Sequence, residues 1–283
     1  MHRYQAYLHQ KLDSLYPLVE IGSFSRILLL KLANMSSVDI FTDKDRNFPE
    51  HTLEKLVSAI DRLANKEPIQ YLLGETEFCG LSIHVGPGVL IPRPETEELV
   101  ELISTDLSKK ELNSHILDIG TGSGCIAISL AKAFPLATVS AWDISPEALN
   151  FAAENTALNH VNVHLELLDV LTFTPAIRHK NSLDIIVSNP PYVRFDEASE
   201  MEANVLEHEP HLALFVENTD PLLFYRTISA LAIEMLKPRG ALYFEINSQL
   251  GKETLDLVKT YPFSDVRLIQ DISGKDRIIR AQL

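Results

Sequence analysis

Apolar residues in the first 75 positions of the 283-residue chain recur at a spacing of three to four. The stretches YQAYLHQKLDSLY and SRILLLKLANM gather them on one helical face, which predicts two amphipathic helices. A third stretch, FPEHTLEKLVSAIDRLANK, opens with Pro49 and Glu50, residues suited to a first helical turn. Together they predict a small helical domain over residues 1–75 whose apolar stripes form its core. No glycine-rich or acid–base constellation falls within it. The period then shortens. EFCGLSIHV and GVLIP are extended runs separated by GPG, which predicts a β-hairpin linker over residues 76–93. Pro94 starts another helix, and Glu95, Glu97 and Glu98 give its first turn the negative charge that a helix N-terminus favours.

From about Leu112 short apolar runs alternate with amphipathic ones. The strands read HILDIG, ATVSAWDI, VNVHLELL, SLDIIVSN and ALYFEI, followed by two more near the C-terminus. The helices read GCIAISLAKAF, SPEALNFAAENTAL, DPLLFYRTISALAIEMLK and QLGKETLDLVK. This rhythm predicts an α/β fold over residues 94–283, a mostly parallel sheet with helices on both faces.

Composition alone places the chain among soluble globular proteins, with 46% apolar and 23% charged residues. Its length admits two domains. No run of about 18 apolar residues occurs, so no transmembrane helix and no membrane partner are expected. The charge-interrupted N-terminus lacks the form of a secretory signal. Cys79 and Cys125 make neither a disulfide framework nor a metal site, and a cytoplasmic location is the expectation. Charge is more decisive, with 39 acidic residues against 25 basic ones and a formal net charge of −14. Duplex nucleic acid is held mainly through its phosphates, so this balance argues against it as a direct partner. The acidic excess reads as a solvated surface.

The first strand of the alternating region runs into LDIGTGSGC, with Gly120, Gly122 and Gly124 between strand and helix. Such a loop at the carboxyl end of a strand marks the ligand crevice of a doubly wound sheet. Glycine here also serves turn geometry alone. The spacing is G-x-G-x-G rather than the dinucleotide G-x-G-x-x-G. Asp118 precedes the loop, where it would repel a pyrophosphate and suit a ligand carrying an ammonium or sulfonium charge. Asp143 ends the next strand, placed either to accept hydrogen bonds from ribose hydroxyls or to cap the helix that follows. Asp169 follows the third strand, either as a partner for an adenine amino group or as a turn residue.

The fourth strand stops at Ser188-Asn189-Pro190-Pro191-Tyr192. Two prolines offer no backbone N–H, so this corner exposes carbonyl acceptors, joined by the Asn189 side-chain oxygen. A surface rich in acceptors and poor in donors matches a guest with two N–H groups on one nitrogen, and Tyr192 offers a face to the flat group bearing it. An amide or aniline-like nitrogen is a poor nucleophile; two acceptors on its hydrogens raise its electron density and aim it at an electrophile. A sulfonium methyl donor would supply a good leaving group, so no strong base is required.

DIGTGSG, AWDIS and SNPPY together resemble the class I S-adenosylmethionine-dependent methyltransferases of planar amino groups. The block EPIQYLLGETEFCGLSIHVGPGVLIPRPETEELV, with VLEHEPHLALF, YFEI and DISGKDRII, is similar to the HemK/PrmC family, from about Glu67 to the C-terminus. That resemblance implies a Rossmann-like methyltransferase domain over residues 94–283 and a helical N-terminal domain that helps bind the substrate. It implies methyl transfer from S-adenosyl-L-methionine to the side-chain N5 of the glutamine in the Gly-Gly-Gln motif of class-1 peptide chain release factors. The family's cofactor loop falls on Asp118, Gly120, Thr121, Gly122, Ser123 and Gly124, its ribose acid on Asp143, and its adenine acid on Asp169. Its catalytic and substrate-gripping motif falls on Asn189, Pro190, Pro191 and Tyr192, with Asn189 also reaching the cofactor. Val170 stands where many relatives carry an aromatic residue and Asn247 where Gly is usual; neither is expected to touch the NPPY chemistry.

Some residues are left aside. His208 and His211, three apart in EHEPH, lack further ligands for a metal, and the resemblance implies that they belong to a loop beside the substrate. His84 and His115 fall in strands as structural residues, and Cys125 is expected to be buried against the sheet. Arg93 serves either acidic groups of a ligand or the start of a helix. An adenine-N6 DNA methyltransferase shares the NPPY logic but would need a basic groove. A non-catalytic cofactor-binding protein and a nicotinamide dehydrogenase fit less well, the first because the NPPY motif is intact, the second because of the glycine spacing.

Overall fold

A computed structural model of the chain describes residues 1–43, 46–108 and 113–283, so Leu112, where the alternation begins, lies outside the described residues. The chain forms two compact units. One comprises Met1–Gly74 with Glu202–His208, the other Glu75–Met201 with Glu209–Leu283.

The first unit contains α1 (His2–Leu12), α2 (Leu18–Lys31), α3 (Ser37–Thr42), α4 (Glu50–Ala64) and α5 (Ile69–Leu73). Tyr4, Leu8 and Leu12, four residues apart on α1, join Leu56, Ile60 and Leu63 of α4 in one buried cluster. Pro49 sits at the N-cap of α4, one position before its first turn.

The second unit opens with a hairpin of β1 (Glu75–Phe78) and β2 (Leu81–His84), in which Phe78 faces Leu81. This differs from the hairpin expected from sequence, which placed the turn at GPG and a strand at GVLIP. The turn is instead Cys79–Gly80, with φ of 49° and 72° at the two residues. Left-handed residues at both central positions match the twist of two paired strands. The glycines of GPG serve close packing: a Cβ on Gly86 would come within 2.9 Å of Phe151, and one on Gly88 within 2.5 Å of Glu147.

The remaining elements are α6 (Pro94–Leu107), β3 (His115–Ile119), α7 (Cys125–Ala133), β4 (Thr138–Asp143), α8 (Pro146–Leu158), β5 (Val163–Leu167) and β6 (Leu183–Ser188). Then follow β7 (Val193–Arg194), α9 (Ala203–His208), α10 (His211–Leu214), β8 (Phe215–Val216) and α11 (Leu223–Met235). The chain ends with β9 (Leu236–Glu245), α12 (Gly251–Val258), β10 (Asp265–Gln270) and β11 (Asp276–Gln282). Seven strands form one sheet in the order β10-β11-β9-β6-β3-β4-β5. β9, β6, β3, β4 and β5 are parallel, and β11 runs antiparallel to both its neighbours.

Successive strand residues face opposite sides of the sheet. Leu117 and Ile119 of β3, Ile186 of β6 and Phe244 of β9 pack with Tyr225, Ile228 and Leu231 of α11. On the other side of β3, Ile116 and Asp118 are also fully buried. A strand covered on both faces reads as a nearly continuous apolar run, which accounts for LDIIV in β6. The fold is therefore the α/β sheet expected from sequence, and its parallel strands bring Ile119, Asp143, Leu167 and Ser188 to one edge. Among the described residues no helix is long and apolar enough to cross a membrane.

Candidate active site

The loop after β3 turns through three glycines with positive φ, Gly120 at 73°, Gly122 at 55° and Gly124 at 83°. Gly124 is packed: an added Cβ would meet Ile128 at 2.9 Å and Ala152 at 3.2 Å. Gly120 and Gly122 differ, since among the described residues no atom beyond their own chain neighbours lies within 4 Å of where their Cβ would stand. The loop is thus an open ledge. Beneath it, Asp118 accepts the Thr121 hydroxyl at 2.7 Å on Oδ2, while its buried Oδ1 has no hydrogen-bond partner among the described residues. Burial pushes this carboxyl up to about 7, against the Thr121 hydroxyl and the Ala127 N–H, which pull it down. A buried acid with one unpartnered oxygen under an open glycine ledge suits a ligand that carries a positive charge.

Asp143, at the tip of β4, accepts the Gly122 N–H at 2.8 Å on one oxygen and the Ser145 N–H at 2.9 Å on the other. Each oxygen keeps a lone pair for a hydroxyl. Burial raises this carboxyl also, and the backbone donors oppose it. Ser145 itself caps α8, so the cap is the serine rather than Asp143. Asp169 lies two residues past β5 and accepts the Leu171 N–H at 2.9 Å, a turn-closing bond.

The Asn189–Tyr192 corner leaves β6 beside this loop, because β6 and β3 are neighbours in the sheet. Ser188 donates to the Ile119 carbonyl at 2.7 Å, directly joining the two strand ends. Behind the corner lies a connected set of polar groups. Glu245, at the end of β9 and 1% exposed, accepts the Thr96 hydroxyl at 2.6 Å and the Tyr192 hydroxyl at 3.2 Å. Asn189 Nδ2 donates to Thr96 Oγ1 at 3.4 Å. Burial, followed by the Glu245 charge, raises the Tyr192 phenol far above its ordinary value, so it stays a donor. Burial also raises Glu245, while Thr96, Arg277 and Tyr192 act to keep it ionised.

The residues left aside from sequence have plain places. Arg93 pairs with Glu209, which is 3% exposed and also accepts the Ile91 N–H at 3.1 Å. His208 Nε2 lies 3.0 Å from the Asn65 carbonyl, and His211 packs edge-on against Phe215. Cys125 is buried, and that burial pushes its thiol up, away from nucleophilic use. Val170 is buried in the core cluster that contains Trp142.

Residues 95–211 match the family model described as the methyltransferase small domain, and residues 22–74 match the PrmC N-terminal domain. A release factor glutamine methyltransferase of Bacteroides thetaiotaomicron is 47% identical over 281 residues, covering 99% of both chains. One from Flavobacterium psychrophilum is 47% identical over 279 residues, covering 98% of this chain and 97% of its own. The chain belongs to the release factor glutamine methyltransferase family. It is a methyltransferase, and its cofactor is S-adenosyl-L-methionine. A methyltransferase from Pyrococcus furiosus, 18% identical, shares the fold with a TM-score of 0.51 over 72% of this chain and 89% of its own.

Several residues around this candidate site of the methyltransferase carry no signal in the sequence. Asn155 of α8 accepts the His84 N–H at 2.6 Å and donates to the carbonyls of His84 and Ser123, both at 2.9 Å. It thereby fastens the hairpin to the glycine loop. Asn247 reaches the last residue of the corner. Its Nδ2 donates to the Tyr192 carbonyl and to Glu197 Oε2, both at 3.1 Å. Thr96 and Glu245 lie within RPETEE and YFEI, which carry the family resemblance without disclosing that the two side chains meet.

Proposed function

We propose that this enzyme methylates the side-chain amide nitrogen, N5, of the glutamine in the Gly-Gly-Gln motif of class-1 peptide chain release factors, a modification of the translation-termination machinery. The observation that carries the reading is the acceptor-rich Asn189–Tyr192 corner leaving β6 next to the open glycine loop of β3. Membership of a family whose relatives bear the release factor glutamine methyltransferase name supports the substrate.

S-adenosyl-L-methionine, when bound, supplies an electrophilic methyl group on a sulfonium. The chain's own groups do the rest. The ledge of Gly120, Thr121, Gly122, Ser123 and Gly124 would hold the methionyl portion, with Asp118 beneath its charge. Asp143 would take the ribose hydroxyls and Asp169 the adenine amino group. The Asn189 side-chain oxygen and the Pro190 carbonyl would accept the two N–H bonds of the glutamine amide. Holding that nitrogen in line with the methyl lowers the entropic part of the barrier, and the acceptors stabilise the positive charge that develops on it. Asn189 and Pro190 would hold the amide nitrogen where it could take the methyl that the cofactor would supply, and the proton that the nitrogen then gives up would pass to water. No base is required of the corner: both oxygens of Glu245 already accept hydroxyl hydrogens. The helical unit would contribute to docking the release factor.

Mass spectrometry of a class-1 release factor incubated with the enzyme and S-adenosyl-L-methionine tests the reading. One added methyl on the Gly-Gly-Gln peptide, lost with Asn189→Ala, is the expected result. Cofactor binding without methylation of that peptide would overturn the substrate, and duplex DNA tested in parallel would reveal the adenine-N6 alternative.

A further inference from the structure

The polar set behind the corner has a direction. Both oxygens of Glu245 accept, one from the Tyr192 hydroxyl and the other from Thr96, whose single hydroxyl hydrogen is turned toward the carboxyl at 2.6 Å. Thr96 is left with lone pairs alone to offer Asn189. At 3.4 Å it faces the Asn189 side chain, and only the NH2 end of that amide donates to it. The carbonyl end is then turned away from Thr96. An amide held by packing alone has no such preference, because its two ends differ little in shape.

We propose that Glu245 and Thr96 are positioning residues that fix which end of the Asn189 amide meets the substrate. The proposal rests on the reading of Asn189 as an acceptor for the reacting nitrogen. Neither residue touches the substrate in this account. Tyr192 gives Glu245 a second function, since its hydroxyl donates to the other carboxylate oxygen and ties the last residue of the motif to the same anchor. One buried acid thus sets both ends of a four-residue corner. Thr96 and Glu245 are 149 positions apart in the chain, so the relay exists only in the folded sheet.

Four variants test it with a release factor as substrate: Thr96→Val, Thr96→Ser, Glu245→Gln and the double variant Thr96→Val/Glu245→Gln. Valine keeps the shape of threonine without the hydroxyl, and serine keeps the hydroxyl. An amide at position 245 both donates and accepts, so it no longer imposes one direction. Expected are a fall in kcat of at least tenfold for Thr96→Val and at least fivefold for Glu245→Gln, with KM and the cofactor Kd within twofold of the parent. Thr96→Ser should keep kcat within threefold. The double variant should lose clearly less than the two single losses combined, because Glu245 reaches Asn189 through Thr96. A kcat within twofold of the parent for Thr96→Val, or fully additive losses, would overturn the proposal.

Neutron diffraction from deuterated crystals supplies a readout independent of activity. The parent should show the Thr96 hydroxyl deuterium directed at Glu245 and the deuterated NH2 group of Asn189 facing Thr96. Thr96→Val should show the Asn189 amide in both orientations. An ordered Asn189 in the parent orientation without the Thr96 hydroxyl would sink the idea. Loss of methylation in Asn189→Ala, with full activity in the other variants, would reject the relay while leaving the proposed role of Asn189 standing. Full activity in Asn189→Ala would reject that role itself.

Discussion

The Ser188 hydroxyl donates to the Ile119 carbonyl at 2.7 Å, and both residues are buried. Ser188 is the last residue of β6 and Ile119 the last of β3, so the bond sets the spacing between the Asn189 corner and the glycine loop. Methyl transfer tolerates little error in that spacing, because a displacement of about 1 Å costs on the order of a hundredfold in rate. Ser188→Ala should lower stability by about 1–2 kcal/mol, the cost of a buried hydrogen bond lost on one side. It should also lower kcat more than it raises either KM. Urea denaturation with steady-state kinetics checks both, and an unchanged kcat would show that the ladder alone holds the two ends in register.

Asp118 links the glycine ledge to pH. Its folded carboxyl titrates near 7 against an ordinary value of 3.8, so the folded protein holds a proton that the unfolded chain gives up. The native state then binds more protons between those values, and stability falls as pH rises from about 4 to about 7, levelling off above. Asp118→Asn removes that slope, keeps an acceptor for Thr121, and should gain on the parent by a few kcal/mol, roughly, between pH 5 and pH 8. Binding of the positively charged cofactor should favour the ionised form and release a proton at pH 6. Calorimetric titration in buffers of different ionisation enthalpy measures that release; none would place the charge of the cofactor away from Asp118.

Asn155 is expected to matter for both stability and cofactor binding. Its side chain makes three hydrogen bonds, two to His84 and one to Ser123, and it is fully buried. Asn155→Ala leaves those backbone groups without this partner and should cost about 3 kcal/mol or more. Asn155→Asp should cost more still, because it turns a carboxylate toward the two carbonyls that now receive N–H bonds. A fall in cofactor affinity should accompany the loss, since Ser123 belongs to the ledge. Thermal unfolding with and without S-adenosyl-L-methionine would separate the two effects. Equal cofactor-induced shifts in parent and variant would confine Asn155 to a structural role.

The parts of this protein that were legible in its sequence are those built by neighbours in the chain. A glycine loop between an apolar run and a helix points to a strand end, and so do two prolines after LDIIV. The alternation of runs was enough for the sheet, because each strand buried on two faces must be apolar throughout. Features built across the sheet were silent. Thr96 and Glu245, Arg93 and Glu209, and His84 and Asn155 are each ordinary residues until 149, 116 and 71 positions of chain are folded away. The hairpin turn was misplaced for a local reason. GPG carries the stronger turn signal, yet its glycines are needed for contact with Phe151 and Glu147, and the reversal falls on Cys79 instead. Nothing in the pattern signalled that Glu202–His208 belongs with the helical unit.

Asn247 offers the last test, because glycine at this position removes a tether. Its backbone φ is −64°, which any residue adopts, so conformation does not explain the asparagine. Its Nδ2 instead holds the Tyr192 carbonyl and Glu197, and its Oδ1 accepts the Gln249 N–H at 2.9 Å. Glu197 in turn accepts the Arg194 N–H at 3.0 Å, so one side chain steadies the whole stretch that follows the corner. Asn247→Gly should cost about 1–2 kcal/mol and speed amide exchange over residues 193–200. With Asn189 in its proposed role, kcat should change little, whereas KM for the release factor should rise several-fold as the segment beside the corner loosens. Hydrogen-exchange mass spectrometry and a comparison of kcat with KM read the two consequences separately. Unchanged exchange in residues 193–200 would mean that β7 and β8, not Asn247, hold the segment in place.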